Sequence, residues 1–237
     1  MPERQSTVSA LITCEHAGNE VPGRWGFLFE GQAEVLNSHR GFDRGSLELG
    51  VALADRLRAP LLTGTVTRLL VDLNRPARHP RHFSEFTRDL APTERERIDV
   101  EYWKPHWERY GECLQRLPGR IVHIACHSFV PVLGGRVRGA DIGLLYDPSR
   151  ARERAWCHSL AKQIRAILPD LKVRMNYPYR GTSNGMGQQH RAHFSDERLI
   201  TMELEINQSL CDRRDWPELL GKLSRATEWV LQAEIEP

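Results

Sequence analysis

Apolar and polar positions alternate along this chain in short blocks, and the blocks change period. Residues 9–14 (Ser-Ala-Leu-Ile-Thr-Cys) form the first apolar run, stopped by Gly18-Asn19 and Pro22. They predict a short buried strand that delivers His16 into a loop at its carboxyl end. Residues 121–126 repeat the arrangement and close on His127, followed by Ser128 to Pro131. Between them, residues 23–31 read as irregular surface, and Leu47, Val51, Ala54 and Leu57 at helical spacing predict a helix over 46–57 that stops before Pro60. Residues 61–63 resume extended structure, and 67–76 read as an apolar strand with charges at both ends. A basic, Pro-broken stretch over 78–82 has the character of a flap. Residues 93–117 predict a long charged helix, kinked or broken at Pro105. Strand over 141–146, helix over 148–168, strand over 172–176, a Gly- and Asn-rich loop over 177–193, strand over 199–206 and an amphipathic helix over 216–231 complete the chain. Helices of crossover length between strands imply an α/β three-layer sandwich, its mostly parallel or mixed sheet covered on both faces. Such sheets place ligands at the carboxyl ends of their strands.

Composition narrows the partners. The 237 residues, 40% hydrophobic and 27% charged, suit one domain over 1–237. A formal net charge of +2 with mixed signs leaves no basic tract for nucleic acid. No apolar run approaches the roughly 18 residues of a bilayer span, and residues 1–5 lead into strand rather than a signal-peptide core. These features predict a cytoplasmic protein. Five cysteines, an odd number without a CxxC pair, fit reduced thiols.

The strand ends then read as a set. In a parallel sheet His16, Asn74 with Arg75, His127 and Glu205 emerge at one edge. Two imidazoles, carboxylates and guanidinium groups suit a zinc site with three protein ligands and one open position. Glu205, inside an apolar strand, is costly to bury unless paired or functional, and Glu203 lies two residues earlier on the same face. Asp43 precedes the 46–57 helix and reads either as its N-cap or as a ligand. His123 lies roughly 13 Å from His127 along a strand, too far to share a metal, and reads as structural. Arg136 and Arg138, in a Gly-rich loop after His127, are placed to reach a distal carboxylate, and His39, Asn176, Arg180 and His190 lie in loops around the same mouth.

These residues carry a family resemblance. The chain resembles the N-formylglutamate amidohydrolase family through Cys14-Glu15-His16-Ala17-Gly18-Asn19 with Pro22, His39 to Asp43, Thr67 to Arg75, His127 to Pro131 and Met202 to Glu205. The Arg, Asp-x-Asn-Arg element is also similar to one in the aspartoacylase branch of the zinc carboxypeptidase-like superfamily. The resemblance implies a phosphorylase/hydrolase-like fold and Zn2+-dependent cleavage of an N-formyl amino acid such as N-formyl-glutamate. Another N-acyl amino acid or a short peptide is the alternative substrate, and a non-catalytic binder of acidic ligands the alternative class. By resemblance His16 and His127 are zinc ligands, Glu205 the general base, Arg68 the oxyanion support, and Asn74 and Arg75 the grip on the substrate carboxylate. The superfamily's His-x-x-Glu is absent, since Asn19 stands at its last position. Asp43 is therefore preferred as third ligand, with Glu20 in reserve.

Overall fold

The computed structural model describes residues 7–183 and 185–234, so the reading of residues 1–5 lies outside the described residues. Six strands form one sheet: β1 (Val8–Cys14), β2 (Leu61–Thr63), β3 (Arg120–Phe129), β6 (Ile142–Leu145), β7 (Val173–Met175) and β8 (Leu199–Asn207), in the order β2-β1-β3-β8-β6-β7. All neighbours are parallel except β6 and β8, so the sheet is mixed. A two-stranded hairpin, β4 (Val132–Leu133) with β5 (Arg136–Val137), stands apart from it.

The two sheet faces differ because β3 and β8 alternate differently on each. Val122, Ile124, Cys126, Ile200, Met202, Leu204 and Ile206 point one way, into the main core. Helices α2 (Ser46–Leu57), α5 (Ala151–Ile167) and α7 (Trp216–Ala233) cover that face with Leu49, Leu53, Trp156, Leu160 and Leu223. The other face grades from apolar to polar along the strands. Leu11, Ile121 and Leu199 pack at one end against Tyr110 and Leu114 of α4 (Lys104–Arg116) and Met186 of α6 (Met186–Arg191). Further along, the His123 ring contacts Thr13 Oγ1 at 2.9 Å, the Tyr110 hydroxyl at 2.9 Å and Thr201 Oγ1 at 2.7 Å. His123 is thus a packed structural group, held neutral by burial that pushes its pKa down to about 3. His127 and Glu205 follow on the same face and are direct partners across the β3–β8 pairing.

Several expectations need correction, among them the loop over 177–193, which carries α6. Residues 67–76 form turns, not a strand. Leu69, Leu70, Val71 and Leu73 enter a separate small core with Trp25, Phe29 and Ile98. Side chains satisfy that backbone in place of a ladder: Thr87 Oγ1 donates to Leu70 O at 3.0 Å, Trp107 Nε1 to Leu73 O at 2.8 Å and Trp103 Nε1 to Arg75 O at 2.8 Å. The stretch over 23–31, read as irregular surface, is largely a 3-10 helix whose Trp25 and Phe29 are buried. The helix over 93–117 is three segments, α3 (Pro92–Ile98), a π turn (Asp99–Trp103) and α4. Pro105 sits in the first turn of α4, where its missing N–H costs least, and the wider turn before it absorbs the ring. The basic loop is no free flap, because His82, buried, places Nε2 2.7 Å from Asp99 Oδ1 of the π turn. The five cysteines are free thiols, and no helix among the described residues is long and apolar enough to cross a membrane.

Gly50 makes a sign-testing case. On an open helix face Gly→Ala stabilises by up to about 1 kcal/mol. A Cβ at Gly50 of α2, however, would stand 2.3 Å from Cys14 Sγ at the end of β1. Gly50→Ala should therefore destabilise by about 1–3 kcal/mol in urea unfolding.

Candidate active site

Adjacent residues in the turn after β1 take opposite destinations. His16 sets Nδ1 3.3 Å from Asp43 Oδ2 and Nε2 2.7 Å from Asp72 Oδ1. Glu15 instead places Oε2 3.2 Å from Nε2 of His127, whose Nδ1 lies 2.9 Å from the same Asp43 Oδ2. One carboxylate oxygen therefore bridges two imidazoles whose ring centroids are 5.1 Å apart. Ligand atoms of His16, Asp43 and His127, all buried, lie within 4.8 Å of one another. Two imidazole nitrogens and one carboxylate oxygen are a donor set for a transition-metal ion. Each imidazole turns its remaining nitrogen to a carboxylate, Asp72 or Glu15, an arrangement that fixes which nitrogen faces the centre.

Asp43 does not cap α2. The N-cap is Gly45, left-handed at φ 85° and without a side-chain cap. Asp43 Oδ1 accepts from Arg68 Nη1 at 3.1 Å, and Arg68 Nη2 donates to Asp72 Oδ2 at 3.0 Å. Glu20, the reserve ligand, is exposed and accepts from the Thr65 hydroxyl at 2.8 Å. It borders a separate cavity of about 550 Å³ that is lined by none of His16, Asp43, His127 or Glu205.

The charges are tuned by each other more than by water. Burial pushes the Asp43 pKa up, but the neighbouring His16, His127 and Arg68 outweigh it and hold the carboxylate well below its ordinary range. Asp72 is held down in the same way, against its burial, by Arg68, His16 and Arg75, and Glu15 chiefly by His127. Hydrogen bonds to Asp43 and Glu15 raise His127 above its usual value despite burial. Glu205 is the opposite case: burial raises its pKa to about 8, with Asp43 and Glu203 adding to the shift. Among the described residues its buried Oε2 has no hydrogen-bond partner, so the side chain is a carboxyl group poised to exchange a proton near neutrality.

A cavity of about 200 Å³ opens over these groups. His16, Asp43, His127, Glu205, Glu203, Arg68, Asn74 and Arg75 all line it. Asn74 is fixed by Met186 N–H donating to its Oδ1 at 2.8 Å, which leaves Nδ2 3.2 Å from His127 Nε2. Arg136 and Arg138 do not line the cavity, contrary to expectation. Arg136 is exposed on the hairpin, whereas Arg138 stacks over Phe129 and Tyr179 and donates to the Tyr179 hydroxyl at 3.0 Å. Arg138 thus braces a wall residue instead of reaching the interior. Of the four loop residues expected at the mouth only His39 lines it. Asn176 serves the backbone of Tyr146 and Gly181, His190 packs in α6 against Tyr110, and Arg180 lies outside the lining. Glu15, Arg81 and Tyr179 escaped the sequence reading. Parity alone pointed to Glu15, which continues the Leu11, Thr13 side of β1.

Residues 8–211 match the family model of N-formylglutamate amidohydrolase. The crystal structure of gene product Atu2144 from Agrobacterium tumefaciens is similar at 27% identity and a TM-score of 0.81, over 96% of this chain and 92% of that one. A bacteriophage poly-gamma-glutamate hydrolase is 10% identical, with a TM-score of 0.46 over 97% of this chain and 86% of its own. The succinylglutamate desuccinylase from Chromobacterium violaceum is 14% identical, with a TM-score of 0.45 over 96% of this chain and 61% of its own. No curated protein matches the chain.

The raised Glu205 pKa has a stability consequence. A folded-state value of about 8 against an ordinary 4.5 means that the folded protein holds the proton more tightly. The contribution is complete below about pH 4.5 and is lost as pH rises through about 8. In chelator-treated protein Glu205→Gln, which cannot ionise, should match wild type near pH 5 and become the more stable of the two by pH 8–9. Urea midpoints across that range measure the divergence, and parallel curves would contradict it.

Proposed function

The chain belongs to the N-formylglutamate amidohydrolase family, and from that premise we propose that it is a zinc-dependent amidohydrolase of small N-acyl amino acids, acting as one domain over 1–237. The observation that carries this reading is the buried His16, Asp43, His127 cluster lying beside Glu205, whose buried Oε2 has no hydrogen-bond partner among the described residues. The residues fit the ion: the three ligand atoms are close enough to share one centre, and both histidines have carboxylate partners on their outer nitrogens. Zn2+ held there would polarise the amide carbonyl and lower the pKa of a water molecule.

The chain's own residues supply the rest. Glu205, in the ionised form that a cation bound nearby would favour, takes a proton from the attacking water and returns it to the leaving nitrogen as the C–N bond breaks. Arg68, kept cationic by Asp72 and Asp43 on its inner side, supports the negative charge that develops on the carbonyl oxygen. Asn74 and Arg75 hold the α-carboxylate and so orient the amide for attack. One water is consumed, and a carboxylic acid and a free amino acid leave, formate and glutamate for N-formyl-glutamate. A cavity of about 200 Å³, below the roughly 300 Å³ of drug-sized pockets, favours a formyl or similarly small acyl group over a peptide.

Metal analysis by mass spectrometry, paired with an assay of N-formyl-glutamate hydrolysis, tests the reading. Wild type should carry about one zinc per chain, and Asp43→Ala and His127→Ala should each lose both zinc and turnover. Glu205→Gln should keep the zinc and lose about 10²- to 10⁴-fold in kcat. A wild-type protein that neither binds zinc nor hydrolyses the substrate after zinc is added would overturn it.

A further inference from the structure

We infer that Arg81 is the residue that selects substrates with an acidic side chain, by taking the distal carboxylate at the mouth of the cavity. The inference rests on the amidohydrolase reading and adds to it a specificity determinant outside the catalytic cluster.

The guanidinium groups of the site are unequally committed. Arg68 spends two donors on Asp43 and Asp72, and Arg75 lies 3.8 Å from Asp72 Oδ2 through its Nε. Arg138 is turned onto the Tyr179 hydroxyl and the Phe129 ring. Arg81 lines the same cavity as Glu205 and Arg75, it is exposed, and among the described residues no carboxylate lies within ion-pair distance of it. An uncommitted guanidinium on the rim of a site whose other cations already face acids is a ready partner for an incoming carboxylate, which it can meet with two parallel hydrogen bonds.

Its loop is built to hold that position. His82 O accepts from Asp72 N–H at 2.9 Å, which ties the end of the loop back to the segment that bears Asp72, Asn74 and Arg75. The buried His82–Asp99 contact and the Trp103 Nε1 bond to Arg75 O secure both ends of the loop to the π turn. Within the loop Arg81 N–H donates to His79 Nδ1 at 3.0 Å. The Arg81 backbone is therefore anchored relative to Arg75, which grips the α-carboxylate in the proposed reaction. A cavity of about 200 Å³ lined by both arginines has room for a side chain of a few carbons. That geometry suits a dicarboxylic amino acid.

The test compares N-formyl-L-glutamate with N-formyl-L-glutamine, which matches it in shape and lacks the distal charge. Wild type should prefer the acid, and Arg81→Ala should cut the ratio of kcat/KM values about 10- to 100-fold, the range for losing a hydrogen-bonded charge pair. Because the distal group is remote from the breaking bond, the loss should fall mainly on KM. Arg81→Lys should restore part of the preference, and Arg78→Ala, on the same loop but outside the lining, should leave the preference intact. An equal rate on both substrates in wild type, or an unchanged ratio in Arg81→Ala, overturns the assignment. If wild type hydrolyses neither compound the amidohydrolase reading fails instead. Calorimetry of L-glutamate and L-glutamine on wild type and Arg81→Ala then decides Arg81 alone: a glutamate preference lost in the variant supports it, and no preference overturns it.

Discussion

The site depends on one physical constraint: charges taken out of water must face opposite charges. Asp43 is 4% exposed, yet its two oxygens meet His16, His127 and Arg68. Asp72 repeats the pattern with His16 and Arg68, and Glu15 closes it on His127. Buried ions of this kind are tolerated only as a completed set, because removal of one partner strands the others. Glu205 shares the surroundings, but its Oε2 has no hydrogen-bond partner among the described residues, and burial favours its protonated form. The contrast between paired and unpaired carboxylates divides the site into groups that hold and a group that exchanges.

The sheet supplies this contrast through alternation. Even-numbered positions of β3 and β8 fill the main core, while odd-numbered ones lead from Ile121 and Leu199 through His123 and Thr201 to His127 and Glu205. Gly143, opposite Glu205 on β6, keeps the neighbouring strand free of a side chain that would collide with Tyr177 O and crowd the Glu205 Cβ. Polarity on one face rises towards the carboxyl ends of β1, β3 and β8, where α/β sheets open to ligands.

Much of the fold was legible because its elements are locally consistent. Helix α2 runs over the residues its spacing named, and β2 and α7 start where the pattern starts. The run over 67–76 misled because apolarity without alternation fits any buried segment, and its core partners Trp25, Phe29 and Ile98 are distant in sequence. His127 and Glu205 sit inside their strands, two residues before the carboxyl end of each, because the β3–β8 pairing continues to Phe129 and Asn207. Residue type and strand-end position carried the imidazoles and acids of the site. Arginine destinations were not readable, since a long flexible side chain reaches in many directions and packing alone sent Arg138 to Tyr179 and Arg81 to the rim.

Strand β8 occupies a central place in the sheet, between β3 and β6, although it is the last strand among the described residues. During synthesis β3 and β6 therefore emerge long before the strand that joins them, and each offers an unpaired edge until residues 199–207 follow. The late strand closes long loops, a slow step for any chain. Glu205 takes its place opposite His127 only when that strand pairs, so the proposed site is complete only with the completed sheet. An assay of the proposed activity is thus also an assay of finished folding in this chain.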